Sequence, residues 1–600
     1  MFRRTNLMEM SSDNNCEKIA RWLRAFEEGV AVGDKSKLKE LFVKDCHWRD
    51  LLAFTWHITT LSKLEKVVTG LIVGCDENGA KDFQLTSTAR KVSRGGQKNI
   101  IEGIFKFRTN AGECRGVLRL CSESGDSGEL KAWTIMTALD HLRAVPDKAG
   151  NGCPKGDNFA RDFSGPNWLD MRKFSVAYED REPEVLVVGG GQAGLSIAAR
   201  LTQLGVDTLV LDRERRIGDN WRQRYHALVL HNQVHVNHLP YLDFPENWPT
   251  YIPKDKLASW FEFYVEAMEL NFWTGAEFLG AEYSEKDRRW YARAKTKEGN
   301  IRSIKPRHIV MATGVSGIPN IPEVPTLPKF KGKVVHSSEF KSARDNKEER
   351  VLILGTGTSA HDIAQDLVSN GSEATMVQRR PTSVLNVEPS AQLPYTLYKE
   401  GHELCDADLL AAATPYQPLR CAHELLAVEA SSMDQKLLVN LEAAGFEIDR
   451  KDKYGWQFKY MTRGGGYYFN VGCSDLIVSG DVGILQLSDI ETFLTSGIKL
   501  KNGKTLSFDT VVLATGFKGQ EEMVNLLFGG EVEQRVGPIW GFDEKSQELR
   551  NMWVRTGQPG LWFIAGSFAQ CRIYSKYLGL QIKACIEGVI PNVRNELGTN

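Results

Sequence analysis

Two stretches of the chain share one pattern of apolar and polar positions. Each has a short unbroken apolar run, then a glycine turn, then small and apolar residues at helical spacing, then a second apolar run. The first is Glu184 to Asp212, EVLVVGGGQAGLSIAARLTQLGVDTLVLD; the second spans 351 to 380, VLILGTGTSAHDIAQDLVSNGSEATMVQRR. Unbroken apolar runs of this length mark strands buried on both faces, so each stretch predicts a strand, turn, helix and strand within a parallel sheet. The N-terminal region reads differently. Ile19, Trp22, Leu23, Phe26 and Val30 form one face of a helix over 17–34, with Gly33 as a stop, and a second short helix covers Lys35 to Phe42. Strand-like segments follow at about 101–107, 115–121 and 130–137. Helices first and antiparallel strands after predict a separate α+β domain over residues 15–142.

Between 143 and 182 the chain becomes polar and rich in Asp, Asn, Gly, Lys and Pro, which predicts a linker ending in a helix from Trp168 to Ala177. An amphipathic helix is expected over 255–270, a return strand at HIVMATG (308–314), and a mostly helical insert over 403–446. The glycine cluster that begins at Arg463, RGGGYY, leads into strand-like residues and reads as a tight turn instead of a third phosphate loop. TVVLATGF is expected to bring the chain back to the first nucleotide domain, before a strand, a turn and a closing helix. The predicted fold class is α/β, with two Rossmann-like dinucleotide-binding domains, the second inserted in the first, preceded by a small α+β cone-like domain. The expected boundaries are 183–340 for the first part of one nucleotide domain, 341–490 for the other with its helical insert, and 491–600 for the remainder of the first.

Composition changes this picture little. The 600 residues suffice for three or four domains, and 42% apolar with 25% charged residues is ordinary globular usage. A formal net charge of −1 and the lack of basic runs interleaved with aromatics argue against a nucleic-acid partner. The eleven cysteines include no C-x-x-C pair, which suits a reducing compartment and disfavours a disulfide reductase of the familiar kind. The N-terminus lacks the apolar core of a secretory signal and no apolar run approaches about 18 residues, so the expectation is a cytoplasmic protein without an integral membrane segment.

The glycines carry the candidate chemistry. Gly189, Gly191 and Gly194 form a G-x-G-x-x-G turn, with Gln192 opening the helix, where side chains would hold a pyrophosphate off the helix N-terminus. Asp212 stands roughly 20 positions on, and its carboxylate suits a ribose 2′-hydroxyl while repelling a 2′-phosphate, so this site calls for FAD or NAD. In the second unit Gly355, Gly357, Thr358 and Ser359 form the turn, with Ala360 in place of the third glycine. At the position of the acid stand Arg379 and Arg380. A guanidinium on a 2′-phosphate adds about 1.5–3 kcal/mol, a preference for NADPH over NADH. Gly218, Trp221 and Arg222 lie where the chain leaves the second strand and crosses towards the flavin ring system. His231 and Asn232 are candidates for polar groups at the flavin edge. His231, His235 and His238 invite a metal reading, but Pro240 and the missing carboxylate weigh against it. His47, Asp50 and His57 could line a pocket of the N-terminal domain, although a supporting role for that domain is the preferred reading.

Between the two glycine turns lies FKGKVVHSSEFK, in which Phe330, Gly332, His336 and Phe340 match the F-x-G-x-x-x-H-x-x-x-(Y/F) signature. On it the chain resembles the flavin-containing (class B) flavoprotein monooxygenases. Ala514, Thr515 and Gly516 resemble the second ATG motif of that family. LVLHNQVHVNHLPYLDFPENWPTYIPKDK is similar to the corresponding stretch of indole-3-pyruvate monooxygenases, and the element order of 15–142 resembles a nuclear-transport-factor-like cone. The family resemblance covers roughly 183–592. It implies FAD and NADPH as cofactors, a small organic substrate and O2 as partners, and oxygen transfer through a C4a-(hydro)peroxyflavin. It also implies that the closing helix points its N-terminal end, near Gly566 and Gln570, at the flavin. Oxidative decarboxylation of an aryl-pyruvate and N- or S-oxygenation both remain open. Baeyer-Villiger enzymes usually carry Trp where Phe340 stands, so ketone oxygenation is the alternative, and a flavin-inactive binding or scaffold protein is the alternative of another class. Whether the N-terminal domain is catalytic, regulatory or forms a homodimer is left open.

Overall fold

The computed structural model describes residues 2–122, 129–143, 145, 163–345 and 347–593, the side chains of 2–12 and 345 excepted. Residues 144 and 146–162 of the expected linker therefore lie outside the described residues. Its final helix, Trp168–Ala177, is present, and Asn167 and Asp170 form a reciprocal capping box at its start.

The first nucleotide unit is a five-stranded parallel sheet, ordered Asn271–Thr274, Thr208–Asp212, Val185–Val188, His308–Met311 and Leu561–Phe563. Each residue of VLVV at 185–188 is buried, as an apolar run without polar alternation requires. The second unit repeats the plan with Lys333–His336, Thr510–Leu513, Arg350–Leu354, Glu373–Gln378 and Val482–Gln486, again all parallel. In both units a three-stranded antiparallel meander precedes the ATG strand, Glu277–Ile304 in one and Ile490–Ser507 in the other.

This topology corrects two boundaries. Lys333–His336 pairs in the second sheet, so that unit begins before 341. Thr510–Leu513 lies between two strands of the second sheet, so TVVLATGF closes the second unit and does not return the chain to the first. The reason is the repeat itself: each unit ends in a buried strand followed by ATG, and the strand's sequence does not say which sheet it joins. The chain packs back on the first unit's meander at Gln520–Phe528 and rejoins its parallel sheet at Leu561–Phe563, beside His308–Met311.

The N-terminal sheet has seven strands. Five of its six strand pairings are antiparallel, and Phe42–Leu51 pairs in parallel with Leu130–Leu142. Helices Phe2–Ala31 and Leu64–Asn78 cover one face. The interior is packed with aromatic rings: Phe83 stacks on Phe107 at 4.9 Å, Trp22 on Phe26 at 5.1 Å, and Trp48 and Phe54 close the row. The helical face read from the sequence, Ile19, Trp22, Leu23, Phe26 and Val30, is wholly buried. The other side of the sheet docks on the helix Leu404–Ala412 and on the closing helix Phe568–Ile586. Arg119 donates to the carbonyls of Leu410 and Ala413 at the end of the first of these, while Arg49 holds Glu548 with two bonds of 2.8 and 2.6 Å. Cations at a helix C-terminus satisfy its unpaired carbonyls and oppose its dipole.

Candidate functional site

One cleft of about 1670 Å³ runs between the two nucleotide units, and both glycine turns open onto it. The helices Gln192–Gln203 and Thr358–Ser369 begin there, at Gly191 and Gly357, and neither has a side-chain cap. Their first-turn N–H groups are thus left for a ligand, and an anion is what such a terminus prefers. The glycines divide into two kinds. A Cβ on Gly194 would stand 1.9 Å from the Gly189 carbonyl oxygen, and one on Gly355 2.3 Å from that of Ala514, so these let the backbone close up. A Cβ on Gly357 would meet nothing within 4 Å, and one on Gly191 only the Asn220 amide at 3.1 Å; these keep space clear in the cleft.

Asp212 ends its strand on the cleft wall. Its Oδ2 accepts from the Gly190 N–H at 2.6 Å and its Oδ1 from the Glu214 N–H at 2.8 Å. Burial raises the Asp212 pKa, and the two N–H bonds act against that rise. Gly190 is a residue the fingerprint did not single out; a side chain there would strike Phe272 and the Asp212 carboxylate. Gln192, Trp221, Thr358, Ser359, Arg379, Arg380, Thr515 and Gly516 all line the cleft, as do His231 and Asn232. The Trp221 indole N–H is buried and has no acceptor among the described residues.

Two sequence candidates are misplaced. Gly218 stands behind the wall, where a Cβ would lie 2.5 Å from the Ala258 carbonyl oxygen, so its glycine serves helix packing. Arg222 turns away from the cleft to bind the Ile217 carbonyl, Asp219 and Glu262. The set His47, Asp50 and His57 does not converge. His47 and Asp50 are three apart on one strand and so face opposite sides. Asp50 is fully buried, its oxygens taken by Thr137, Thr55 and the Phe54 and Thr55 N–H groups. His57 instead lies beside Arg555.

The signature histidine braces the second unit. The His336 ring bonds Ser338 through Nδ1 at 2.9 Å and the Gly516 carbonyl through Nε2 at 3.0 Å, which fixes the second ATG turn at the cleft. Across the floor, the Tyr225 hydroxyl donates to Asp362 on the second glycine helix. Burial raises the Asp362 pKa and lowers that of His231 nearby, so the imidazole is neutral at pH 7. The Asn232 amide donates to Tyr395 at 3.1 Å. The segment Val234–Val236 is a 3-10 turn, not a helix, so His231, His235 and His238 do not share one helical face. At the far wall the closing helix begins at Ser567, which forms a capping box with Gln570. Gln570 is thereby a cap, while Gly566 and Ser567 face the cleft.

Sequence reasoning missed the aromatic wall beside His231 and Asn232. Tyr395, Trp456, Tyr467 and Phe469 come from three elements, and no fixed spacing announces them.

The pyridine nucleotide-disulphide oxidoreductase family matches residues 186–414. The indole-3-pyruvate monooxygenase YUCCA1 of Oryza sativa subsp. japonica is 30% identical over 346 residues, which is 57% of this chain and 79% of that protein. The probable indole-3-pyruvate monooxygenase YUCCA4 of Arabidopsis thaliana is 30% identical over 338 residues, 56% of this chain and 76% of that one. Among solved structures, a flavin-containing monooxygenase from Stenotrophomonas maltophilia superposes with a TM-score of 0.47 at 18% identity, covering 67% of this chain and 99% of that chain. Cyclohexanone monooxygenase from Rhodococcus sp. Phi1 bound to NADP+ gives 0.48 at 15% identity, covering 68% and 85%. Among the described residues no helix is long and apolar enough to cross a membrane.

Proposed function

Because the chain belongs to the flavin-dependent monooxygenase family, we propose that it uses FAD and NADPH to place one atom of O2 on a small organic acid, and that the reaction is the oxidative decarboxylation of an aryl-pyruvate. Aryl-pyruvate, O2, NADPH and a proton then give aryl-acetate, CO2, NADP+ and water. The observation that carries this reading is the shared cleft: two uncapped helix N-termini open on it, one beside an acid and the other beside two arginines.

The residues fit both dinucleotides. Gly191 and Gly357 leave the open ground a pyrophosphate needs, and the Trp221 indole N–H waits for an acceptor. FAD would be held by Gly189 to Gln192 and by Asp212 at its ribose; NADPH by Gly355 to Ser359, with Arg379 and Arg380 at the 2′-phosphate. Bound together they supply hydride transfer and oxygen activation, which no side chain can. The protein's own share is positioning and water exclusion. His336 keeps the Gly516 turn in place. His231, neutral through burial, presents an imidazole able to accept a hydrogen bond or donate one without adding charge. Asn232, fixed by Tyr395, presents a neutral amide beside it. The first turn of the closing helix turns a positive dipole end towards the cleft, which favours negative charge there.

The test is to express the protein with flavin available and follow NADPH oxidation with phenylpyruvate, indole-3-pyruvate, amines, sulfides and a cyclic ketone, identifying products by mass spectrometry. Aryl-acetate and CO2 are expected. Lactone from the ketone in place of aryl-acetate would move the enzyme to Baeyer-Villiger chemistry, and a protein that binds no flavin would end the reading.

A further inference from the structure

The four residues of the turn Arg463 to Gly466, a plain connection by its sequence, all line the cleft. It leaves the helix Gly455–Arg463 with Gly464 at φ +70° and Gly466 at φ +94°, then enters the strand Tyr467–Asn470. A Cβ on Gly464 or Gly465 would meet nothing within 4 Å, so bare backbone faces open space there. A Cβ on Gly466 would stand 2.8 Å from Arg463 Nη2. Glycine at 466 thus lets the guanidinium fold back over the turn. Arg463 Nε donates to the Gly465 carbonyl at 3.3 Å. The carboxylates of the neighbouring loop, Asp449 and Asp452, are already paired with Lys459 at 2.7 and 3.2 Å. No carboxylate among the described residues lies within 4 Å of the Arg463 terminal nitrogens, although the Arg463 charge reaches the Asp449 carboxylate.

The aromatic wall continues from this turn. Trp456 meets Phe469 edge to face at 4.8 Å, Tyr467 stacks beside Phe469 at 5.2 Å, and Tyr395 stands 6.0 Å from Trp456. The wall ends at His231, whose ring meets Phe469 at 5.7 Å. Trp456 is 6% exposed, and its indole N–H has no acceptor among the described residues. A buried donor without a partner is costly, and a cleft-lining one is a place where a ligand can supply the missing acceptor.

We propose that Trp456, Arg463 and Tyr467 form the recognition site for a planar aromatic acid: the ring lies along the Trp456 and Tyr467 wall, and the carboxylate is held by the Arg463 guanidinium over the glycine turn. This rests on the monooxygenase reading and adds to it the groups that choose the substrate. An aromatic wall suits an aromatic ring, because stacked and edge-on contacts exceed what their area alone gives, and a guanidinium takes a carboxylate through two parallel bonds. The same guanidinium chemistry would also suit a nucleotide phosphate, and the strand beside it is close to the second glycine turn, since Thr358 donates to the Tyr467 carbonyl at 3.3 Å. The substrate is favoured because Arg379 and Arg380 already stand at the end of the nucleotide strand.

The experiment is steady-state kinetics of the flavin-loaded wild type and the Arg463→Gln, Arg463→Lys and Trp456→Leu variants, with phenylpyruvate, its methyl ester, pyruvate and NADPH, and thermal unfolding of each variant alongside. Arg463→Gln should raise the KM for phenylpyruvate about tenfold or more and erase the preference for acid over ester, with the KM for NADPH within about twofold and unfolding unchanged. Arg463→Lys should recover part of the preference, and Trp456→Leu should narrow the gap between phenylpyruvate and pyruvate. An Arg463→Gln enzyme with a raised KM for NADPH and an intact acid preference would assign the arginine to the nucleotide and overturn the proposal, as would one equal to wild type in every constant. A wild type that turns over no aromatic acid would overturn the aryl-pyruvate reading together with the site. Failure of the variants alone leaves that reading standing.

Discussion

The Arg572 guanidinium grips both carboxylate oxygens of Asp408, at 2.7 and 2.6 Å, and gives its remaining nitrogen to the carbonyls of Val236 and His238, each at 2.9 Å. Arg572 belongs to the closing helix, Asp408 to the insert helix Leu404–Ala412, and the two carbonyls to the segment that carries His231 and Asn232. The insert helix is held from its other side by Arg115 on Asp406 and by Arg119 on its terminal carbonyls. The N-terminal domain therefore braces the cleft wall through the insert helix and the closing helix, and none of its described residues lines the cleft.

Arg572→Met should leave the Asp408 carboxylate buried without its cation and cost about 3–5 kcal/mol of stability. The double variant Arg572→Met with Asp408→Leu should regain most of that loss, since an apolar pair of similar volume carries no unpaired charge. Urea unfolding of the single and double variants checks this. A single variant as stable as the wild type would remove the brace from the picture.

The two kinds of cleft glycine should separate in one pair of variants. Gly194→Ala forces a Cβ against the Gly189 carbonyl and should yield poorly folded protein. Gly357→Ala meets only open space, so the protein should fold normally but bind NADPH more weakly. Circular dichroism with nucleotide titration distinguishes them, and equal folding defects in both would show that Gly357 has no role in leaving room for a ligand.

Arg379→Ala should keep the flavin and reduce the preference for NADPH over NADH by about tenfold to a hundredfold, the equivalent of one charge-assisted contact. Arg380→Ala tests whether its neighbour shares the contact. The measurement is the ratio of kcat/KM for the two nucleotides, and an unchanged ratio in the double variant would leave the 2′-phosphate without its assigned holder.

Much of this arrangement was legible in the chain because its signals are local. VLVV and VLILG need only burial on both faces, and the glycine turns need only their neighbours. The limits of reading show at TVVLATGF, where strand chemistry is the same in either sheet and only pairing across about 160 residues decides. Gly218 and Arg222 sit close in sequence to Trp221, which does line the cleft, but a one-turn helix rotates them away from it. The wall of Tyr395, Trp456 and Tyr467 was invisible for the opposite reason: its members are brought together by the insert's fold, not by spacing. The N-terminal domain's helical face was plain in the sequence, whereas its strands Phe42–Leu51 and Ile58–Ser62 and helix Leu64–Asn78 were hidden in a segment of mixed polarity.

Three buried histidines set an acid limit. Burial lowers His308 to about 3 and both His361 and His423 to about 4. Below the unfolded value of about 6.5 the unfolded chain takes up protons that the fold refuses. Their contribution is therefore whole above pH 6.5 and falls by about 1.4 kcal/mol per pH unit for each as the pH drops towards 4. Unfolding midpoints should decline steeply between pH 7 and 5. His423→Phe, which keeps a ring against Phe458, should make that decline shallower. A flat profile in the wild type would mean that these imidazoles are charged in the fold.

The central claim is that the two nucleotide sites face each other across one cleft so that a hydride can pass between their occupants. Mixing the purified flavin-loaded protein with NADPH in the absence of oxygen, and following the visible flavin band, tests it most directly. The band should bleach, more slowly with NADH, and return when air is admitted. A bound flavin that stays oxidised under excess NADPH would contradict it.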